Sequence, residues 1–188
     1  MDMQRYTLTH EDDASPAVRA VYDDFLRTTG STSVPIWLKA LGHSESLARA
    51  YWERAKGTLF GGVLPLALKE MIVFTVSATH GARYCSACHA QNVLSLDQSV
   101  TFEDLQAFVG HGTSATLPPY YATVVDFATK VALDANSVTD ADVEDLQDDG
   151  FGLAEIGEIV AVIDMATMFN VFTSALNLDL DPEYRAVL

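Results

Sequence analysis

Both cysteines of this 188-residue chain lie in one short run, and a histidine follows directly: Cys85-Ser-Ala-Cys88-His89. The thiolate is the reactive form of cysteine. The first turn of a helix favours it through unpaired N–H groups and the helix dipole. If a helix opens near Tyr84, Cys85 stands in that turn, with Cys88 three and His89 four residues on, flanking one face. Two thiols and an imidazole within one turn make a redox centre. The same letters admit other readings. Cys-x-x-Cys-His is the attachment signature of c-type haem, a modification made after export. The opening MDMQRYTLTHEDD has no apolar core of the kind a leader needs, which speaks against it. Zinc would draw on Cys85, Cys88, His89 and His80. Structural zinc takes two ligand pairs from separated segments, however, and His10, His43 and His111 stand singly. The plainest reading is two buried cysteines acting as small hydrophobes beside a satisfied histidine. Glu70 is the nearest candidate acid. It is either partly desolvated at the edge of the apolar run from Met71 to Ala78, or part of a solvated first turn beside Lys69.

The elements that must hold these residues read as helices throughout, and no window alternates with period two for long enough to make a strand. Ser15-Pro16 caps a helix whose apolar face is Val18, Val21, Tyr22, Phe25 and Leu26, stopped at Gly30. A short apolar segment, Ile36 to Leu41, precedes a helix opened by Ser44 or Ser46 and closed by Gly61-Gly62. Pro65 starts the next helix, apolar almost all round and therefore central, and Gly81 breaks it. Thr101 to Asp104 and Thr139 to Asp142 resemble capping boxes, with Gly110 and Gly150 as C-terminal stops. Pro118-Pro119 opens another helix, and the last runs from about Ala154 to Leu176. The expectation is an all-α chain of about eight helices forming a single domain over residues 1–188.

Composition narrows the function classes. With 49% hydrophobic and 20% charged residues the chain is no disordered tail, and two cysteines are no disulfide scaffold. A formal net charge of −15 excludes nucleic acid and anionic lipid as natural partners. The apolar stretch Ile159 to Leu178 is interrupted by Asp164, Asn170 and Asn177, so it reads as a buried helix and not a membrane span. A cytoplasmic protein is expected. Asp164 and Asn170 are expected as a buried hydrogen-bonded pair, and Asp140 to Asp149 as a solvated helix face without calcium-loop spacing. Trp37, Tyr120 and Tyr121 are expected in the core or at a subunit contact.

The segment Leu68 to Val93 resembles the core of the carboxymuconolactone decarboxylase and alkylhydroperoxidase D (AhpD) superfamily, close to its peroxidase-related branch. Thiol members of that superfamily carry E-x11-C-x2-C-x3-H. Counting from Glu70, the pattern lands on Ala82, Cys85 and His89, with Val76-Ser-Ala78, Gly81 and Tyr84 in register. Val34-Pro35 and the helix after it resemble the lead-in, and Asn177 to Tyr184 the C-terminus of that branch. Ala82 replaces the first motif cysteine. Cys88 falls where the motif has none, giving a Cys-x-x-Cys shifted by one turn.

The resemblance implies an AhpD-like helical fold assembling as a dimer, trimer or hexamer, and a thiol-dependent hydroperoxide reductase needing no haem, flavin or metal. Its partners would be a small hydroperoxide and an external thiol reductant. Cys85 would attack the peroxide, Cys88 would condense with the resulting sulfenic acid, and Glu70 and His89 would move protons. Cys85, nearer the helix N-terminus, is expected to be the more acidic thiol. Glu70 is expected to reach Cys85 and His89 across the turn at His80-Gly81. The same superfamily also contains cofactor-free decarboxylase and lactone-type enzymes, and a non-catalytic helical oligomer with a vestigial site is the remaining reading.

Overall fold

The computed structural model describes residues 5–185, so Met1 to Gln4 of the stretch read above for a leader lie outside the described residues. The chain folds into α1 (Pro16–Thr29), α2 (Ile36–Leu41), α3 (Glu45–Leu59), α4 (Leu66–Thr79), α5 (Arg83–Leu96), α6 (Phe102–His111), α7 (Pro119–Asp134), α8 (Asp140–Asp148) and α9 (Leu153–Ala175). Single 3-10 turns occur at Ser114–Thr116, Ala135–Ser137 and Pro182–Tyr184, and no strand occurs among the described residues. The count exceeds eight because the short Ile36–Leu41 segment winds as a helix of its own.

The caps act locally, as the sequence leads one to expect. Ser15 Oγ accepts from Val18 N, Ser44 Oγ from Leu47 N, and both Thr101–Asp104 and Thr139–Asp142 form reciprocal capping boxes. One stop is misplaced. Gly110 lies inside α6, and the helix runs on to Gly112, whose φ of +61° lets its N–H return to Phe108 O. Nothing in a helical pattern separates two glycines so close together, because only the one adopting the left-handed conformation ends the helix.

α4 is enclosed on every side, packing against α5, α7, α9 and the end of α3. Every residue from Leu68 to Ser77 is buried. That explains its apolar circumference, since a helix with no solvent face has no use for a polar stripe. By length and composition α9 could cross a bilayer, yet half of its apolar stretch is buried inside the protein, against α3, α4, α5 and α7. The polar residues within it separate. Asn170 is buried, accepting from Ser77 Oγ at 2.9 Å and facing His80 Nδ1 at 3.2 Å. Asp164 is 74% exposed and ion-pairs with Arg54 at 2.5 Å. The expected Asp164–Asn170 pair does not form, because six residues turn a helix through about 600°, placing the two on different faces.

Tyr121 is fully buried, whereas Tyr120 beside it is exposed, and both hydroxyls donate to Asp97. Most of α8 is solvated, with Asp142 turned back to Lys130 at 2.7 Å.

Candidate active site

The site is built on the hairpin of α4 and α5, and the hairpin on its turn. Ala82 N donates to Ser77 O at 2.9 Å and Gly81 N to Ala78 O at 3.1 Å. This is the paired closure that satisfies the last carbonyls of a helix, and it needs a left-handed residue, supplied by Gly81 at φ +63°. The chain reverses at once. Ala82, buried where thiol members of the superfamily have a cysteine, is the N-cap of α5.

Glu70 on α4 is 4% exposed. Its Oε2 lies 2.5 Å from His89 Nδ1 and accepts from Asn92 Nδ2 at 3.0 Å, both on α5. The solvated-first-turn reading therefore fails, because the carboxyl is inside the protein and held by two side chains of the facing helix. Lys69 is buried too, but on another face of α4. Its ammonium donates to Thr58 O at 3.1 Å and to Gly61 O, and it ion-pairs with Glu158 on α9. Two adjacent charged residues look like a surface in the sequence; here each has its own buried partners. With Nδ1 committed to Glu70, His89 Nε2 has no hydrogen-bond partner among the described residues. That is the arrangement of an oriented general base or acid.

Both thiols are free. Cys85, 3% exposed, meets Thr173 on α9 with Sγ 3.4 Å from Oγ1. Beside the protonated thiol the Thr173 hydroxyl gives its own proton to Phe169 O at 2.9 Å and accepts from the Cys85 S–H; on ionisation it turns to donate to the sulfur. Burial pushes the Cys85 thiol up to about 12, with Thr173 countering only in part. The expected low-pKa thiolate is thus not the resting state. A helix N-terminus contributes ~0.3–1 kcal/mol, while full burial can move a pKa by about 3–5 units.

Cys88 is held well above the ordinary thiol range, first by burial and next by the Glu70 charge, while a hydrogen bond with the Tyr184 hydroxyl pulls the other way. Among the described residues no hydrogen bond joins either sulfur to Glu70 or His89. Glu70 reaches His89 as expected and makes no hydrogen bond to Cys85.

The four expected residues share one cavity of about 310 Å³. Its walls are Phe25, Trp37, Trp52, Phe60, Met165 and Phe169, and its polar parts include Glu70, His89, Asn92, Tyr84 and Tyr184. Tyr84 donates to Asp181, whose other oxygen accepts from Ile36 N at 3.0 Å, tying the C-terminal turn to the start of α2. Asn92 was findable in the sequence, three residues past His89 on the same helix. Thr173 and Tyr184 carry no local signal and arrive from α9 and the C-terminal 3-10 turn. His80 points elsewhere, to Ala132 O at 3.0 Å and to Asn170. Among the described residues no three His, Cys, Asp or Glu side chains converge as metal ligands.

The α4–α5 hairpin thus presents thiols, a carboxyl and an imidazole to one cavity. Residues 45–130, which hold that hairpin, match the model of the carboxymuconolactone decarboxylase family. The whole chain superposes on an alkylhydroperoxidase AhpD-core, peroxidase-related protein of Ralstonia eutropha JMP134 (TM-score 0.85, 22% identity, covering 98% of this chain and 95% of that one). It also superposes on a peroxidase-related protein of Silicibacter sp. TM1040 (TM-score 0.80, 24% identity, 97% and 95%). A cysteine-to-alanine variant of the debrominase Bmp8, solved in complex with 2,3,4-tribromopyrrole, shares the fold at TM-score 0.78 and 19% identity, over 100% of this chain and 96% of that one. Comparison with curated proteins yields no match. Identities this low establish the all-α AhpD-like fold, on which more than one chemistry is found.

Proposed function

We propose that the protein is a cofactor-free, thiol-dependent hydroperoxide reductase working in the cytoplasm, with Cys85, Cys88, His89 and Glu70 as its site. The observation that carries this reading is the Glu70–His89 pair, 2.5 Å apart, opening into the same cavity as both thiols. His89, oriented by Glu70, takes the Cys85 proton through substrate or water. The thiolate sulfur attacks the distal peroxide oxygen, the O–O bond breaks, and the leaving alkoxide recovers the proton as an alcohol. Cys85 is then a sulfenic acid. Cys88 condenses with it, releasing water and forming a disulfide that an external thiol reduces. Cysteines three apart in a regular helix hold their Cβ atoms about 5–6 Å apart, against the ~3.5–4.5 Å of a disulfide, so this step requires the first turn of α5 to rewind. Replacement of the first motif cysteine by Ala82 makes Cys88 the remaining candidate to resolve the sulfenic acid. Self-association accompanies the reading, supported by the exposed apolar side chains Leu133, Leu153 and Val171.

The experiment is thiol titration before and after one equivalent of hydroperoxide. Loss of two thiols, their return with dithiothreitol, and a dimedone adduct at Cys85 in Cys85-intact Cys88→Ser protein are the expected results. Unchanged thiols in folded protein would refute it. One observation favours a second reading, acid–base chemistry on a carbon substrate: the Glu70–His89–Asn92 cluster is complete without either sulfur, and the resting Cys85 thiol is protonated.

A further inference from the structure

The cavity is specific in size, wall chemistry and charge. Its volume is about 310 Å³. An apolar cavity of ~150 Å³ already accepts a benzene ring, and pockets for drug-sized ligands begin near ~300 Å³. One ring with a compact branched substituent fits. The wall is aromatic and held edge-to-face, with Phe25–Trp52 centroids at 5.1 Å and Trp37–Phe169 at 5.0 Å. Such rings offer edges and faces to another ring. No Lys or Arg occurs among the lining residues, while the Glu70 carboxyl is buried there. His89, the one basic side chain among the lining residues, is already paired with Glu70, so an anionic ligand would meet no unpaired cation.

We propose that this cavity selects a neutral hydroperoxide bearing a single aromatic ring, with the ring against Trp37, Trp52 and Phe169 and the peroxide toward His89 and the thiols. The proposal rests on the hydroperoxide reading for the reactive group, and on the cavity alone for the ring and the neutrality. It excludes hydrogen peroxide as a preferred substrate, since that molecule leaves the aromatic wall unused, and it excludes fatty-acid hydroperoxides by charge.

The protein carries its own probe, because both of its tryptophans, Trp37 and Trp52, line the cavity. Tryptophan fluorescence is titrated with 2-phenyl-2-propanol, tert-butanol and decanoate, using wild-type protein and Cys85→Ser. Turnover of cumene hydroperoxide and hydrogen peroxide is then followed with dithiothreitol. Burying one ring is expected to make 2-phenyl-2-propanol bind at least ~10-fold more tightly than tert-butanol, equally in both proteins. Decanoate is expected to give no saturable signal, and Ala55→Leu, which fills the wall from α3, to weaken the aryl alcohol by ~10-fold or more. If Ala55→Leu fails to fold, Leu66→Phe from α4 narrows the same cavity. Tight decanoate binding, or no saturable response to the aryl alcohol, overturns the proposal. Aryl alcohol binding without consumption of either peroxide upholds the ligand class and overturns the hydroperoxide reading. Hydrogen peroxide turnover without aryl binding does the reverse.

Discussion

Cys85 is a buried thiol at the start of a helix, and its alkylation rate measures which of those two facts prevails. Its pKa is pushed up to about 12 by burial, with Thr173 only partly offsetting this. At roughly pH 7.5 the thiolate fraction is then ~3 in 100,000, against about one in ten for an ordinary cysteine of pKa near 8.5. The deficit is ~3,000-fold. The more basic thiolate is also the better nucleophile, and with a Brønsted slope of ~0.4–0.5 it recovers a factor of ~40. The net expectation is alkylation about two orders of magnitude slower than that of a free thiol. Iodoacetamide is added to Cys88→Ser protein, so that only Cys85 reports, and the rate is followed from about pH 6.5 to 10 while circular dichroism confirms the fold. The rate should climb roughly tenfold per pH unit without a plateau. Thr173→Val should slow it by up to a further ~10-fold, because one hydrogen bond to the sulfur is lost. A plateau below pH 9, or a neutral-pH rate equal to that of glutathione, would refute the argument that burial overrides the helix N-terminus.

Other expectations follow from single contacts. Tyr184→Phe removes the hydrogen bond that eases ionisation of Cys88, so alkylation of Cys88 in a Cys85→Ser background should fall ~2–10-fold, with circular dichroism unchanged. Lys69→Met leaves Glu158 without its cation and Gly61 and Thr58 without their donor, and should lower unfolding stability by ~3 kcal/mol in urea titration. Burial raises the Glu158 carboxyl, but Lys69 and the Val63 and Leu64 N–H groups outweigh it and leave the pKa below its ordinary value. Its contribution is therefore complete above the ordinary glutamate range and is lost as pH falls through the folded pKa. The Tm advantage of wild type over Glu158→Gln should accordingly shrink below about pH 4. Thr75 Oγ1 is buried without a partner among the described residues, so Thr75→Val should raise stability by ~1 kcal/mol and Tm by about 2–4 °C in thermal melts.

Much of the scaffold is determined by the sequence alone, because helix ends depend on neighbours three or four residues away. Ser15, Thr101 and Thr139 cap their helices with bonds to residues three further on, and Gly81 reverses the chain with bonds to Ala78 and through Ala82 to Ser77. The all-round apolar α4 announces its own central place, and Cys85, Cys88 and His89 are grouped by helical spacing before any folding is considered. Solvent access is a different kind of property. Lys69 and Glu70 look like a surface pair until α3, α5 and α9 close around them. Asp164 looks buried until its face of α9 turns outward to Arg54. Cys85 looks acidic from its place in α5 and is made the opposite by its surroundings, with Thr173 of α9 facing its sulfur. Tyr184 reaches Cys88 from the far end of the chain. Hydrogen-bonded helix ends are short-range and so are encoded locally. Burial sums over every element packed around an atom, and so only the tertiary structure decided that both thiols are held protonated.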